Sequence, residues 1–225
     1  MPMADLLKEY AADRYRGLSF DQLNTLYDAS RDRRSMDYKD YFGEMYLSDS
    51  QKEQRIDTAQ RLEDVFKVLL GLVFYYYTEG EYEYADAIAE AQDAYRNILA
   101  GAAVSDYYTS IHIPDAVNGV VNTMLANPED PFNFSLDRAI LIAENEANSV
   151  WNDAEYEEAL KSGKKYKTWH AIIDKRTRAT HREINGKTIP IREYFTVGDS
   201  LMMFPKDSSA SDEEVVNCRC SLTYK

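Results

Sequence analysis

Residues 52–77 constrain the fold more than any other stretch, because they favour a long helix with one buried face. Their apolar side chains recur at steps of three and four, the spacing of successive helical turns. These are Ile56, Ala59, Leu62, Phe66, Leu69, Val73 and Tyr77. A second such pattern covers residues 81–99, after Gly80. Two long helices joined by so short a link are predicted to form an antiparallel hairpin. The tyrosines of this region are predicted to pack the hairpin; the alternative is that some are exposed and bind a partner.

Further helical patterns occupy much of the remaining sequence before residue 161. Helices are predicted over residues 4–15, 19–29, 113–127 and 135–160. Ser19 is typical of a helix N-terminus, because its hydroxyl can accept a hydrogen bond from a free backbone N–H group. Residues 31–39 are charged and lack an apolar stripe, so a link or an exposed helix is predicted there. Aromatic residues between 38 and 46 recur at helical spacing and are predicted to join the core.

The character of the sequence changes after Gly163. Residues 166–172 alternate between two faces, as a β-strand does. Asn185 and Gly186 favour a tight turn, and residues 188–191 are predicted to be a short edge strand, because Pro190 has no N–H group to donate. Residues 211–214 are typical of a capped helical turn.

These patterns predict an α+β protein. A mainly α-helical body with a long helical hairpin is followed by a small α+β domain. The predicted body covers residues 1–135, and the C-terminal domain covers residues 136–225. A helix over residues 136–161 is expected to begin that second domain.

Charge is divided unevenly along the chain, whose formal net charge is −13. Residues 164–225 carry 12 basic and 8 acidic side chains, a net charge of +4, whereas the residues before them carry 14 and 31, a net charge of −17. An acidic surface repels phosphates, so contact with DNA is expected only through the C-terminal domain. The longest apolar stretch, residues 68–77, is about half of what a membrane-spanning helix needs, so no membrane contact is expected.

Both cysteines of the chain, Cys218 and Cys220, lie near its C-terminal end. In an extended segment they can face one point, because side chains two residues apart lie on the same side. Together with His181 they offer the sulfur and imidazole ligands that suit zinc. Asp174, His170 or a water would have to supply a fourth ligand. The alternative is that two buried thiols and a hydrogen-bonded histidine simply fill a core.

An enzymatic interpretation uses the same residues. His181-Arg-Glu183 followed by two cysteines is similar to the zinc deaminase pattern, in which the glutamate transfers protons. With zinc, Asp174 could join them in metal-assisted hydrolysis or deamination. The deaminase pattern, however, has a proline before the first cysteine and two residues between the cysteines, whereas here Asn217 precedes Cys218 and one residue separates the pair.

Several motifs of the C-terminal region occur in one order. They are Trp169, Asp174-Lys-Arg-Thr-Arg-Ala-Thr-His181, Asn185-Gly186, Phe195, Pro205-Lys-Asp207, Glu213-Glu-Val and Asn217-Cys-Arg-Cys220. In this order they resemble the C-terminal domain of the phage Mu F-like minor head proteins, also called phage head morphogenesis proteins, from about residue 137 to residue 220. Two departures are Glu144, where the family usually has arginine, and Arg178 with His181, where many members have a cysteine pair.

The resemblance implies a minor head protein of a phage or prophage, with a structural rather than an enzymatic role. It implies head morphogenesis beside the portal, portal and capsid proteins as partners, and a role in DNA packaging or ejection. The expected locations are the capsid interior and, during assembly, the host cytoplasm.

A cluster of side chains is expected to hold the C-terminal domain together. Its expected members are Glu146, Asn148, Asn152, Trp169, Asp174, Arg176, Arg178, His181, Gly186 and Asn217. The two arginines in it are expected either to pair with Asp174 or Glu146, or to face phosphates.

Overall fold

The computed structural model describes residues 15–29, 37–80 and 83–225. Its helices before the first strand are α1 (Phe20–Ala29), α2 (Tyr38–Gly43), α3 (Asp49–Glu79), α4 (Tyr84–Ile98), α5 (Ile113–Ala126) and α6 (Leu136–Lys161). A π-helical turn, Tyr108–His112, precedes α5, and a 3-10 turn, Pro131–Phe134, precedes α6. The C-terminal part contains β1 (Tyr166–His170), α7 (Ala179–Glu183), β2 (Thr188–Pro190), β3 (Phe195–Val197), β4 (Ser200–Met202), α8 (Asp212–Val215) and β5 (Ser221–Tyr224). The predicted α+β class is confirmed.

Close contacts between residues group the chain into two compact units. Of the described residues, those of the first unit lie within the ranges 1–35, 61–98 and 110–143, and those of the second lie within the ranges 36–60, 99–109 and 144–225. Each unit therefore gathers three separated parts of the sequence. The expected domain boundary after residue 135 lies within the last segment of the first unit, and it stays a prediction.

The helical hairpin supplies much of the first unit. Phe66 of α3 and Tyr95 of α4 meet edge to face with ring centroids 6.2 Å apart, and Tyr76 meets Tyr84 at the same distance. The helices run antiparallel, because the later residue of α3 pairs with the earlier residue of α4. Both the hairpin and the burial of Tyr95 in its core agree with the prediction.

Hydrogen bonds at helix starts explain where α1 and α6 begin. Ser19 Oγ accepts from the Gln22 N–H group, and the Gln22 side chain accepts from the Ser19 N–H group, which forms a capping box. Ser135 Oγ accepts from the N–H group of Arg138 at 3.2 Å. The first of these two caps was predicted at Ser19, and the second lies at the predicted start of the helix at residue 135.

The second unit contains a three-stranded antiparallel sheet in the order β2-β1-β5. Lys167 of the central strand lies opposite Ile189 of β2 and opposite Tyr224 of β5. The predicted edge position of the strand with Pro190 is confirmed. Strands β3 and β4 form a separate two-stranded hairpin, and neither this hairpin nor β5 was predicted from the sequence.

Trp169 of β1 lies at the centre of the core of the second unit, where it is fully buried. Its ring packs edge to face against Phe195 at 5.1 Å and against His181 at 5.8 Å. Other buried members of this core are Ile184, Ile189, Val197, Met202, Cys218, Cys220 and Leu222. The two cysteines therefore belong to an apolar core.

A buried polar network also crosses the second unit. Arg55 of α3 binds both carboxylate oxygens of Glu155 on α6, at 2.7 Å and 3.1 Å. Its Nε atom donates to the side-chain oxygen of Asn148 at 3.1 Å. The amide nitrogen of Asn148 donates in turn to the backbone carbonyl of Cys218 at 3.0 Å. The network links two helices to the segment that carries the cysteines.

Some predicted elements differ from the structure or lie outside it. The helix predicted over residues 4–15 and most of the link predicted over residues 31–39 lie outside the described residues, apart from Tyr15 and residues 37–39. The strand predicted to reach residue 172 ends at His170, where the next N–H group, of Ala171, donates to the Asn185 side chain instead. Helix α8 begins as predicted, but Ser211 forms no side-chain cap there. In the described part of the chain, no helix combines the length and the apolarity that crossing a membrane requires.

Candidate metal centre

Two separated parts of the second unit supply sulfur and imidazole groups to one point. His181 lies on α7, and its side chain is 2% exposed. Cys218 and Cys220 lie between α8 and β5, and both are reduced and buried. Asn217 has a φ of 57°, a left-handed conformation that asparagine tolerates, and it turns the chain just before Cys218. One ligand atom from each of the three residues lies within 4.8 Å of the others.

The spacing of these atoms fits a tetrahedral zinc ion. Nδ1 of His181 is 3.3 Å from Sγ of Cys220 and 3.7 Å from Sγ of Cys218. Zinc bonds of about 2.3 Å to sulfur and about 2.0 Å to nitrogen, at a tetrahedral angle, hold such atoms about 3.6 Å apart. The observed distances lie on either side of this value, so an ion fits between the three side chains after small movements.

A carboxylate forms a hydrogen bond with the other ring nitrogen of His181. Nε2 lies 2.9 Å from Oε2 of Glu214, which also accepts a hydrogen bond from the Thr180 hydroxyl at 2.9 Å. An ionised Glu214 makes Nε2 the donor and leaves the lone pair of Nδ1 directed toward the sulfurs. Histidine ligands of metals commonly have such a carboxylate partner. Gly198 leaves room for it, because a Cβ atom there would lie 2.5 Å from Oε1 of Glu214.

The two thiols differ in acidity. A hydrogen bond from Cys220 and the neighbouring His181 lower the pKa of Cys218, although burial acts against them. The same hydrogen bond, together with burial, raises the pKa of Cys220. Burial opposes protonation of His181, but Cys218 and Glu214 outweigh it and raise the pKa of this histidine. The direction of its pKa shift favours the thiolate form of Cys218, which is the form that binds metals.

Asp174, which the sequence suggested as a fourth ligand, is held elsewhere. Its carboxylate accepts from Arg219 at 2.5 Å and from the hydroxyl of Thr177 at 3.0 Å. These bonds, with one from the N–H group of Arg176, lower the pKa of Asp174 even though burial acts in the opposite direction. Asp174 does not join the three metal-ligand atoms, so the geometry gives it a bracing position.

His170, the other suggested ligand, also lies outside the group. Its Nε2 atom is 2.8 Å from the hydroxyl of Thr223, and its ring stacks on Tyr46 at 4.1 Å. Burial lowers the pKa of this histidine. Its polar contact is therefore with β5.

The arginines of the Asp174–His181 motif bind oxygen atoms of the protein. Arg176 lies 3.5 Å from the Asp174 carboxylate but remains 55% exposed, so one predicted pairing is present. Arg178 donates to the backbone carbonyl of Val216 at 2.5 Å, and not to the predicted partners Asp174 or Glu146. Arg178 thus joins two loops, whereas Arg176 keeps an exposed position.

Helix α6 braces the cysteine segment through its polar face. Asn148 reaches the carbonyl of Cys218, and Asn145 accepts from the N–H group of Asn217 at 2.7 Å. Lys206 also donates to Asn145. The predicted partner Asn152 is buried, and among the described residues its side chain has no hydrogen-bond partner.

The remaining predicted cluster members have structural positions. Gly186 has a φ of 79° and donates its N–H group to the carbonyl of Trp169 at 2.8 Å. Glu146 contributes its backbone carbonyl, which accepts from Tyr108. Both positions stabilise the second unit away from the sulfur atoms.

Sequence reasoning missed Glu214, Asn145 and Lys206. Glu214 lies in the Glu213-Glu-Val motif, but its contact with a histidine 33 residues away has no local signal. Lys206 follows Pro205 in another motif, and burial lowers its pKa to about 8. Patterns of apolar residues predict which apolar side chains are buried, so they do not predict the burial of a lysine.

Free space beside the three donor atoms is small, about 20 Å³. Such a space accepts about one water. Glu183, the proton carrier of the deaminase interpretation, is exposed, whereas Glu214 is the carboxylate that faces His181. The arrangement can hold an ion, and it offers no room for a nucleoside beside it.

A sequence model of the family described as Phage Mu protein F like protein matches residues 91–223, more than half of the chain. The chain belongs to this family, as the order of its C-terminal motifs predicted. The match extends further toward the N-terminus than the predicted resemblance, which began at about residue 137.

Two characterised proteins are similar to parts of the chain. Minor head protein GP7 of Bacillus phage SPP1 is 35% identical over 94 residues, which are 40% of this chain and 30% of that protein. NAD(+)--arginine ADP-ribosyltransferase EFV of Enterococcus faecalis (strain ATCC 700802 / V583) is 33% identical over 144 residues, which are 62% of this chain and 26% of that protein. The chain spans less than a third of the length of either relative. No solved structure matches.

Proposed function

We propose that this protein is a minor head component that acts in phage head morphogenesis, attached to the portal or to neighbouring capsid proteins. The observation that carries the proposal is the family match over residues 91–223, which includes nearly all of the sheet and the candidate metal centre. Similarity to Minor head protein GP7 adds support. The expected locations are the capsid interior and the host cytoplasm during assembly.

The surface of α3 in the first unit is the proposed attachment site. Val68 is 61% exposed and Tyr75 is 53% exposed, and with Leu72 between them they form an apolar stripe at helical spacing. Asp64 and Glu79, both exposed, lie at the two ends of this stripe. An apolar stripe with acidic ends suits an apolar groove that basic residues border.

Contact with DNA would require basic side chains that the protein itself leaves exposed. Lys175 and Arg176 meet this condition, whereas Arg178 and Arg219 bind oxygen atoms of the protein. A role in DNA packaging or ejection is therefore proposed to involve the Lys175–Arg176 loop. Binding through it should weaken steeply as salt increases.

The proposal includes no catalytic step. The centre is closed around a space of about 20 Å³, which suits a structural role. The match to the Enterococcus relative covers 26% of that protein, which is too little to support an enzymatic activity of this chain.

Co-expression with the portal and capsid proteins of the same phage tests the proposal. The wild type should co-purify with one of them and be found in purified virions by mass spectrometry. The Val68→Glu/Tyr75→Glu double variant should lose the partner. Leu201→Glu is the matched control, because Leu201 is 57% exposed on the second unit and lies outside the stripe.

The outcomes distinguish an error in the proposed assembly role from an error in the proposed attachment site on α3. A wild type absent from virions and from portal and capsid complexes would overturn the assembly role. A wild type that binds, with a double variant that binds equally well, would overturn only the assignment of the α3 surface.

A further inference from the structure

The buried sulfur and imidazole groups pose a chemical problem that the assembly role does not address. Cys218 is 1% exposed, Cys220 is 3% exposed and His181 is 2% exposed, inside the apolar core around Trp169. A charged thiolate in such a core is costly unless it is paired. One divalent cation would balance two thiolates and leave the histidine neutral, so the three ligands and the ion would together carry no net charge.

We propose that Cys218, Cys220 and Nδ1 of His181 bind one zinc ion in a closed structural centre, with a single solvent molecule as the fourth ligand and Glu214 as the carboxylate that orients the histidine. The distances of 3.3 Å and 3.7 Å from Nδ1 to the two sulfurs match tetrahedral zinc geometry, as shown above. This inference is independent of the assembly role.

Solvent is assigned to the fourth position because the protein ligands near it are engaged. Asp174 is bound by Arg219, and His170 is bound by Thr223. The space beside the donor atoms, about 20 Å³, is lined by Thr177 and Arg178 among others. It is large enough for about one water, which would complete four-coordinate zinc.

The donor set favours zinc over the other common metals of thiolate sites. Two thiolates and an imidazole are soft ligands, which suit zinc and disfavour calcium or magnesium. An iron–sulfur cluster is normally held by four protein ligands, most often cysteines, and the whole chain has two cysteines. Three protein ligands with a solvent molecule are the set found more often in catalytic zinc sites. The structural role is assigned because the three ligands are buried and the space beside them, about 20 Å³, leaves no room for a substrate.

Zinc binding would stabilise the segment around Cys218, which also forms hydrogen bonds with α6. Cys218 is both a ligand and the carbonyl acceptor of Asn148, while the preceding N–H group, of Asn217, donates to Asn145. A zinc ion would fix the same segment from the opposite side, from α7. Because the ion binds thiolates, the thiol protons are released to solvent, and affinity should fall at low pH.

Metal analysis of the purified full-length protein tests the proposal. Protein prepared with a reducing agent and without chelator should contain about one zinc per chain. X-ray absorption should show two sulfur, one nitrogen and one oxygen ligand. Cobalt substitution should give sulfur-to-metal charge-transfer bands. Cys220→Ser and His181→Ala should each lose the stoichiometric zinc.

Three controls keep the result interpretable. Asp174→Asn should retain zinc fully, because Asp174 is assigned to Arg219. Glu214→Gln should retain the fold and the ligands but bind zinc about 10–100-fold more weakly, which competition with a chelator measures. Circular dichroism of each variant separates loss of the ion from loss of the fold.

Other results would overturn the proposal. These are wild-type protein that stays free of zinc after reconstitution, zinc retained at full occupancy in the folded Cys220→Ser variant, or an oxidised Cys218–Cys220 pair in protein kept under reducing conditions. Loss of zinc in Asp174→Asn, or a second nitrogen ligand in place of oxygen, would overturn the assignment of solvent to the fourth position.

Discussion

The two compact units differ in the balance between apolar packing and buried polar contacts. The first unit packs aromatic and aliphatic side chains such as Phe66, Phe74 and Tyr95 between helices. The second has an apolar core as well, but it buries more polar groups: Arg55, Lys167 and a set of potential metal ligands, against Arg138 as the buried arginine described in the first unit. Packing depends on shape and volume, whereas buried polar groups need specific partners in a specific geometry.

This difference separates the roles proposed for the units. A helical surface such as that of α3 can vary its exposed residues without changing the helix, because its buried face maintains the fold. A buried polar network tolerates substitution poorly, because each side chain supplies the hydrogen-bond partner of another. The first unit is therefore suited to presenting an attachment surface, and the second to keeping one fixed arrangement of loops.

The largest expected effect comes from the core of the first unit. Phe66→Ala should lower the free energy of unfolding by about 3–5 kcal/mol, because it removes a fully buried ring and leaves a cavity. Chemical denaturation measures the change. Val68→Ala, on the exposed side of the same helix, should change stability by less than about 0.5 kcal/mol. Equal effects at the two positions would contradict the packing of α3.

A slightly smaller effect is expected from the network of the second unit. Arg55→Ala should cost about 3 kcal/mol, because Glu155 and Asn148 lose their partner in a buried site. The double variant Arg55→Met/Glu155→Leu should cost less than this single change, since it removes both charges. Urea denaturation of the wild type, Arg55→Met, Glu155→Leu and this double variant measures the coupling.

A partly exposed ion pair of the first unit provides the comparison. Lys67 pairs with Glu63 on α3, and their side chains are 35% and 16% exposed. Lys67→Ala should cost no more than about 0.5 kcal/mol. A cost at Arg55 as small as that at Lys67 would show that the buried network does not stabilise the second unit.

The same difference explains what could be predicted from the sequence. The hairpin was predictable because a buried helical face repeats in the sequence itself, as Leu62, Phe66 and Leu69 do. The strand at residues 166–170 and the edge position of Pro190 were predictable from local rules. Strands β3 and β4 were missed, because three residues are too few to establish an alternation.

The candidate centre was predictable in its residue types but not in its partners. His181, Cys218 and Cys220 combine ligand types that suggest a metal, and the fold brings them together. Asp174 seemed equally suitable by chemistry, but Arg219 is its partner across 45 residues. Glu214 belongs to a motif named from the sequence, but its contact with His181 was not expected. Such pairings depend on tertiary geometry that no local pattern encodes.

The second unit is also expected to differ from the first in the pH dependence of its stability. Lys167 is buried, its ammonium group donates to the carbonyl of Met203 at 2.6 Å, and its Nζ atom lies 5.1 Å from the ring of Tyr156. Burial lowers the pKa of Lys167 from 10.5 to about 7, although Asp207 and Glu193 act in the opposite direction. Between these values the unfolded chain binds more protons than the folded protein, so this lysine should make stability rise with pH from about 7 toward 10.5.

Comparison with Lys167→Met isolates this contribution, because other titrating groups, including Lys206, remain in both proteins. As the pH rises, the wild type should gain stability relative to the variant by at most about 1.4 kcal/mol per pH unit. Urea denaturation at several pH values from 7 to 10 measures it. Parallel pH profiles would mean that Lys167 keeps an ordinary pKa, and this expected difference between the units would be wrong.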